Sequence, residues 1–377
     1  MAQAKLQLLR KELNEAFLER GQVIDGLLAS LLAGGNAVLY GPPGTAKSDL
    51  LKGLCSSISG AVYFKRLLQK AMPPEELLGP ISLKSLEKDE LKRNTAHRLP
   101  EAHIAFLDEV FKCNATTLNA LLGILNEREF ENPIPQQVPL QFLCGAANRV
   151  PEEPELAPFV DRFIFRPWIP YLRSDKNKAA LIGWSCDGNR PSITPDQLSL
   201  SELEKMKAEA VRLPVSNDMR ADYLAAIRYL GEEGFEISDR RIMQLLKLLK
   251  CFAYVQGDQF VCIEHLHGLL PYCLWTKEAS EISSIKNALS TICPLPRKNL
   301  SQLLDTAKKE TNSALLAEDQ QIAIERAVTQ LVNTQRLIEK LEAGQKTNLE
   351  PKKFKQALEQ LAEYRKELAE AQDYATY

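Results

Sequence analysis

Ala37-Val-Leu-Tyr40-Gly41-Pro42-Pro43-Gly44-Thr45-Ala46-Lys47-Ser48 is the stretch on which the reading of this 377-residue chain turns. Four apolar residues form a short strand that runs straight into a loop of glycine and proline. From Ser48 to Ile58 the spacing of apolar residues is helical. Strand, loop and helix in that order make a phosphate-binding loop. Gly41 and Gly44 let the backbone turn tightly, so that successive N–H groups converge, and the helix N-terminus adds partial positive charge. The expected nucleotide contacts are Gly41, Pro42, Pro43, Gly44, Thr45, Ala46, Lys47 and Ser48. Lys47 is expected to reach the β- and γ-phosphates of ATP and Ser48 to offer its hydroxyl to Mg²⁺. Ala46 stands where the general pattern has glycine, a departure of one methyl group.

Further along, Ile104-Ala-Phe-Leu107-Asp108-Glu109 delivers two carboxylates to the end of a second apolar strand. Doubly wound sheets bind ligands at that end of their strands. Asp108 is expected to hold Mg²⁺ through its water shell and Glu109 to polarise the attacking water. Adjacent acids at a strand end are a weak signal alone. Paired with Lys47 upstream, they point to Mg²⁺-dependent hydrolysis of ATP. Further short strands are expected at 61–65, 141–146 and 163–166, with helices at about 4–20, 23–32 and 115–126. That alternation predicts an α/β fold, a five-stranded parallel sheet covered on both faces.

Composition sets outer limits. A formal net charge of −2, 45% hydrophobic and 25% charged residues describe a globular chain, not a disordered one. Near-neutral charge gives no field for general nucleic-acid binding. The N-terminus scatters charge among its apolar residues and does not read as a signal peptide, and the apolar run Val23–Leu32 is too short to cross a bilayer. Eight cysteines show no CxxC pair, so reduced thiols in a cytoplasmic protein are expected. No His/Cys/Asp cluster has metal-ligand spacing, which leaves Mg²⁺ as the one metal expected.

Three domains follow from changes along the chain: an αβα nucleotide-binding domain over 1–190, an all-α lid over 191–297 and a C-terminal charged helical hairpin over 298–377. Pro167, Pro170 and Gly188–Pro191 make the first boundary read as loop. In the tail, Ile324, Val328, Leu331, Ile338 and Leu341 form one stripe, and Phe354, Leu358, Leu361 and Leu368 form another. Gly344 and Pro351 separate them, and Gln335 and Arg365 interrupt them.

With these motifs assembled, the chain resembles the AAA+ P-loop ATPases and, within them, the MoxR family, in which alanine before the P-loop lysine is usual. Further matching segments follow in order: Pro74-Glu-Glu-Leu-Leu-Gly79-Pro80, Leu121-Leu-Gly-Ile-Leu-Asn-Glu127-Arg128, Ala146-Ala-Asn148, Val160-Asp-Arg162-Phe163 and Ser238-Asp-Arg240-Arg241. The resemblance covers residues of about 5–290 and looks closest to the RavA-like branch. It implies that Asn148 is sensor 1, which orients the attacking water. Arg162 resembles the arginine finger presented to a neighbouring subunit, with Arg166 as the alternative. Arg240 resembles sensor 2 on the lid, with Arg241 beside it. For Glu127-Arg128 a structural role is preferred to a catalytic one, and residues 72–100 resemble the family's helix 2 insertion.

The resemblance further implies self-association into a ring, a hexamer. It also implies chaperone-like remodelling of a protein substrate with a separate von Willebrand factor A protein as partner. Two readings of other classes stand beside it. One is a nucleotide-dependent DNA motor or loader, against which stand the net charge and the absence of an aromatic-basic stripe. The other is a nucleotide-gated scaffold that hardly turns over.

Overall fold

The computed structural model describes residues 2–235, 237–293, 300–315, 323–324, 327–328, 331, 335 and 351–375. The chain divides into two compact units, Met1–Ile292 and Cys293–Tyr377.

In the first unit, β1 (Asn36–Tyr40), β2 (Tyr63–Leu67), β3 (Ile104–Asp108), β6 (Phe142–Ala147) and β7 (Phe163–Phe165) form one parallel sheet in the order β2-β3-β6-β1-β7. Every residue of β1 and β6 is buried. This is why both read as unbroken apolar runs with no alternation. A small antiparallel hairpin, β4 (Glu129–Glu131) with β5 (Pro135–Gln137), projects beside the sheet and was not expected from the sequence.

Helix α1 (Ala2–Ala16) buries Leu6, Leu9 and Leu13, and α2 (Gly21–Ala33) is buried from Val23 to Ala33. Gly26 lets α2 lie directly on β7, since a Cβ there would meet the Phe165 ring at 2.0 Å. Asp25, the charge that interrupts this apolar helix, is 3% exposed. Arg10 of α1 grips it with two bonds of 2.5 and 2.8 Å, and Gln256 donates to it at 3.0 Å. A buried carboxylate is tolerable when its lone pairs are filled in this way. Gln256 ends a lid helix, so this one acid ties α1, α2 and the lid together.

After α3 (Lys47–Ser56), the region expected as one helix over 115–126 is two short ones, Ala115–Asn119 and α4 (Leu122–Asn126). The helix 2 insertion carries a single bridge, Ile81 to Arg93, and a four-residue helix, Leu83–Leu86, whose leucines are exposed. Asn132 of the hairpin loop accepts from the Arg93 N–H at 2.6 Å and donates to its carbonyl at 3.1 Å. Insertion and hairpin are therefore pinned to each other. Helix α5 (Ala157–Val160) precedes β7. Between Pro170 and Gly188, where no element was expected, lies a 13-residue helix, α6 (Asp175–Asp187), none of whose residues is buried.

The lid is helical: α7 (Leu200–Val211), α8 (Asn217–Glu232), α9 (Asp239–Gln256), α10 (Ile263–Leu269) and α11 (Glu281–Ile292). Ser199, Ser216 and Ser238 each accept a backbone N–H three residues on, capping α7, α8 and α9. The expected lid boundary at 297 lies outside the described residues.

The second unit has its own core. Ala307 and Ala314 of α12 (Leu300–Leu315) and Ala357, Leu361 and Leu368 of α13 (Pro351–Ala375) bury together with Ile324, Ala327 and Leu331. Helix α12 is thus a third segment beside the two expected stripes. Arg365 donates to Gln335 at 2.7 Å, so the two residues that interrupt the stripes satisfy each other. Ile338, Leu341 and Gly344 lie outside the described residues. All eight cysteines are free thiols, and among the described residues no helix is long and apolar enough to cross a membrane.

Candidate functional site

The sheet order brings three strand ends side by side. Tyr40 ends β1, and the Gly41 N–H donates to the carbonyl of Ala147, the last residue of β6. Asp108 ends β3, and β3 pairs with β6. Asn148, Asp108, Glu109 and the loop 41–48 therefore meet at one edge of the sheet.

The loop is held open by its backbone. Gly41 has φ 144°, and a Cβ there would meet the Ile169 carbonyl oxygen at 2.3 Å. Ala46 takes the left-handed conformation, φ 61°, at the N-terminus of α3. The conformation explains why the general pattern prefers glycine, and alanine carries a cost of about 1–2 kcal/mol. Thr45 donates its hydroxyl to the Pro42 carbonyl at 3.0 Å, bracing the turn from inside. Tyr171 donates to the Pro43 carbonyl at 3.2 Å from outside. The Lys47 amine is held by the carbonyls of Gly41 at 2.7 Å and Pro42 at 3.0 Å. Burial lowers its pKa, while Asp108 and Glu109 pull in the other direction.

Ser48 Oγ lies 3.4 Å from Asp108 Oδ2, a hydroxyl and a carboxylate facing the same point. Oxygen donors of this kind suit a hydrated divalent ion such as Mg²⁺. Glu109 also has left-handed backbone, φ 53°. Its Oε1 accepts from Asn148 Nδ2 at 2.9 Å and lies 3.2 Å from Lys112 Nζ. Lys112 and Tyr171 are additions to the residues read from sequence. Neither belongs to a motif, and only the three-residue spacing of Lys112 from Glu109 hinted at it.

The cations expected from the family pattern lie elsewhere. Arg162 immediately precedes β7, where Phe163 pairs with Asn36, the first residue of β1. Its carbonyl accepts from the Asn36 side chain at 3.2 Å. The phosphate-binding loop leaves the other end of β1, about 13 Å away along the strand. Arg240 is exposed and donates to Asn126 Oδ1 at 3.2 Å, next to Leu125, whose carbonyl also accepts from Asn36. Arg162 and Arg240 thus share the edge opposite the loop. Their alternatives are buried in structure. Arg166 donates to the Cys273 carbonyl, and Arg241 is bound to Asp161 and to that same carbonyl. Arg128 is half-buried, donating to the carbonyls of Gly34, Ile124 and Leu125 and to Asn36 Oδ1.

One group of metal-ligand types does assemble, contrary to the expectation from spacing: Asp258, Cys262 and His265. The first turn of α10 and the loop before it bring them together. The Cys262 N–H donates to His265 Nδ1 at 2.9 Å, which leaves Nε2 carrying the proton toward Asp258 Oδ2 at 2.8 Å. Both ring nitrogens are engaged, and the arrangement is a helix cap.

Comparison with known proteins identifies the family. Residues 4–208 match the model of the MoxR domain of MoxR–vWA–β-propeller ternary systems, and residues 220–289 match an AAA lid domain. Two uncharacterized proteins of Methanocaldococcus jannaschii are similar. One is 39% identical over 312 residues, 81% of this chain and 82% of the relative. The other is 40% identical over 307 residues, 81% and 78%. A structural protein of Acidianus two-tailed virus is 28% identical over 179 residues, 45% of this chain and 29% of its own length. A solved Cytophaga hutchinsonii protein described as an ATPase superposes with a TM-score of 0.60 at 18% identity, over 78% of this chain and 94% of that one. That likeness speaks to the fold. With a family model spanning residues 4–208, a matching lid and these relatives, the chain belongs to the MoxR family of AAA+ ATPases.

Proposed function

We propose that this MoxR-family protein hydrolyses ATP at sites completed between subunits of a ring. One observation carries the reading. Lys47, Ser48, Asp108, Glu109 and Asn148 gather at one edge of the sheet, whereas Arg162 and Arg240 stand at the other. Within one chain neither arginine therefore stands at the loop, and phosphoryl oxygens on the far side of the nucleotide call for a cation. Head-to-tail packing of copies supplies one, and a head-to-tail contact that closes makes a ring. The family resemblance supports six members.

In this reading the loop amides and Lys47 hold the phosphates, and Glu109, aimed by Asn148, takes up the proton of the attacking water. Ser48 and Asp108 hold hydrated Mg²⁺, which neutralises phosphate charge when bound. Arg162 and Arg240 of the next subunit stabilise the charge on the transferring group. The exposed leucines of the helix 2 insertion and the hairpin clamped to it form the surface that hydrolysis would move. The work done is remodelling or maturation of a protein substrate. The family description supports a separate von Willebrand factor A partner, and the free thiols support a cytoplasmic setting.

The test is the rate of ATP hydrolysis per subunit against protein concentration, without any partner. A rate that rises with concentration and then levels, in step with mass measured by light scattering, is expected. A concentration-independent rate from a particle of monomer mass would overturn shared sites.

A further inference from the structure

Away from the nucleotide loop, two buried arginines line one cavity. It has a volume of about 530 Å³ and lies between the segment that follows Asn148, helix α5 and the lid. Arg166 and Arg241 are each 6% exposed. Arg241 is neutralised by Asp161 at 2.9 Å. Arg166 has no carboxylate partner among the described residues. Its Nη2 shares the Cys273 carbonyl with Arg241, and its buried Nε has no hydrogen-bond partner. Burial and the adjacent Arg241 charge pull the Arg166 guanidinium down to about 10. Asp161 is also the partner of Arg162 at 3.0 Å, so one carboxylate serves two guanidiniums while a third goes without.

An unpaired buried charge is expensive to keep. An anion in the adjoining space removes that cost. The N-terminus of the 18-residue helix α9 faces the same cavity through Ser238 and adds partial positive charge. Asp161, already paired with Arg241, and Thr276 also line it beside the apolar Pro151, Val160 and Leu274, while Glu152 and Glu153 are exposed at the rim. We propose that this cavity binds a small oxyanion, a phosphate or carboxylate group, on Arg166 and Arg241. Arg166 comes from the sheet domain, and Ser238 and Arg241 come from the lid. A bound anion therefore ties the two together, at a place separate from the loop 41–48.

The experiment is calorimetric titration of inorganic phosphate, and separately of acetate, into the full chain already saturated with a non-hydrolysable ATP analogue. Saturation keeps phosphate off the P-loop, and the preceding nucleotide titration tests that site by itself. One additional anion per chain is expected. Binding of phosphate alone marks a phosphate group as the ligand, and binding of acetate alone marks a carboxylate. Arg166→Met, which removes the charge and keeps the bulk, should weaken binding by roughly tenfold or more. Glu153→Gln, an exposed change that leaves the fold alone, should strengthen it severalfold. No binding of either anion with the nucleotide site full overturns the proposal. So does an affinity unchanged in Glu153→Gln, which decides the matter should Arg166→Met fail to fold.

Discussion

Ala46 and Glu109 both hold left-handed backbone that non-glycine residues rarely adopt, and they sit on the two sides of the site. Strain of this kind persists where surrounding structure over-determines it. For Glu109 the return is direction: the kink after β3 turns its carboxylate onto the Asn148 amide. Glu109→Gln keeps shape, backbone and an acceptor for Asn148 but cannot take a proton. ATP binding is expected to remain within about twofold, while turnover falls by about 10²–10⁴, the range for a general base. Phosphate release close to wild type would remove Glu109 from that role. At this scale much was legible. Lys47, Ser48, Asp108 and Glu109 fall in motifs because their chemistry requires fixed neighbours along the chain. Lys112 and Tyr171 were not legible, because each meets the site through folding alone. That Arg240 is exposed and Arg241 buried is likewise something two adjacent arginines do not reveal in a sequence.

Elements follow the same division. Strands β1, β3 and β6 were readable because burial on both faces demands unbroken apolar runs. Helix α6 was not, because no residue of it is buried and its apolar residues, Ala179 to Ile182 with Trp184 and Cys186, are spread round the helix and form no stripe. Ser174 before it and Gly188 after it were the available signals. What fixes this helix is remote in sequence. The Glu19 carboxylate accepts from the Arg173 and Ser174 N–H groups and the Asn177 amide, each at 2.9 Å. These bonds pull its pKa from the ordinary value of 4.5 to about 2. A depressed acid stabilises fully above 4.5 and loses that contribution as pH falls toward 2. Hydrogen exchange at Arg173 and Ser174, corrected for intrinsic rate, should therefore be slower in wild type than in Glu19→Gln at pH 6. The difference should close by pH 2. Equal protection at pH 6 would mean that α6 is held by other contacts. The segment that leads into α6 touches the phosphate-binding loop, since Tyr171 bonds the Pro43 carbonyl, so its anchoring bears on the loop.

At the scale of the whole molecule, the proposed sharing of sites rests on the placing of Arg162 at the sheet edge opposite the loop. An arginine supplied to a neighbour's phosphates is worth about 10³–10⁵ in rate. Arg162→Ala should therefore be inactive with its P-loop intact, and Lys47→Ala inactive with its arginine intact. Either protein alone offers no complete site. In a ring assembled at random from equal amounts, a site is complete where an intact P-loop meets an intact Arg162 across a contact. Each condition holds for half the subunits, so head-to-tail packing makes about a quarter of the sites competent. Mixing the two should restore about a quarter of the wild-type rate per subunit, provided rings exchange subunits before the assay. Arg240→Ala mixed with Lys47→Ala should behave the same way, since Arg240 shares the edge with Arg162. Arg166→Met is the control. Arg166 is buried in its own chain, so mixing with Lys47→Ala should add nothing beyond whatever activity Arg166→Met retains alone. If no Arg162→Ala mixture recovers activity although mixed particles form, Arg162 serves only its own chain through Asp161. The cation for the phosphates must then come from elsewhere on the partner.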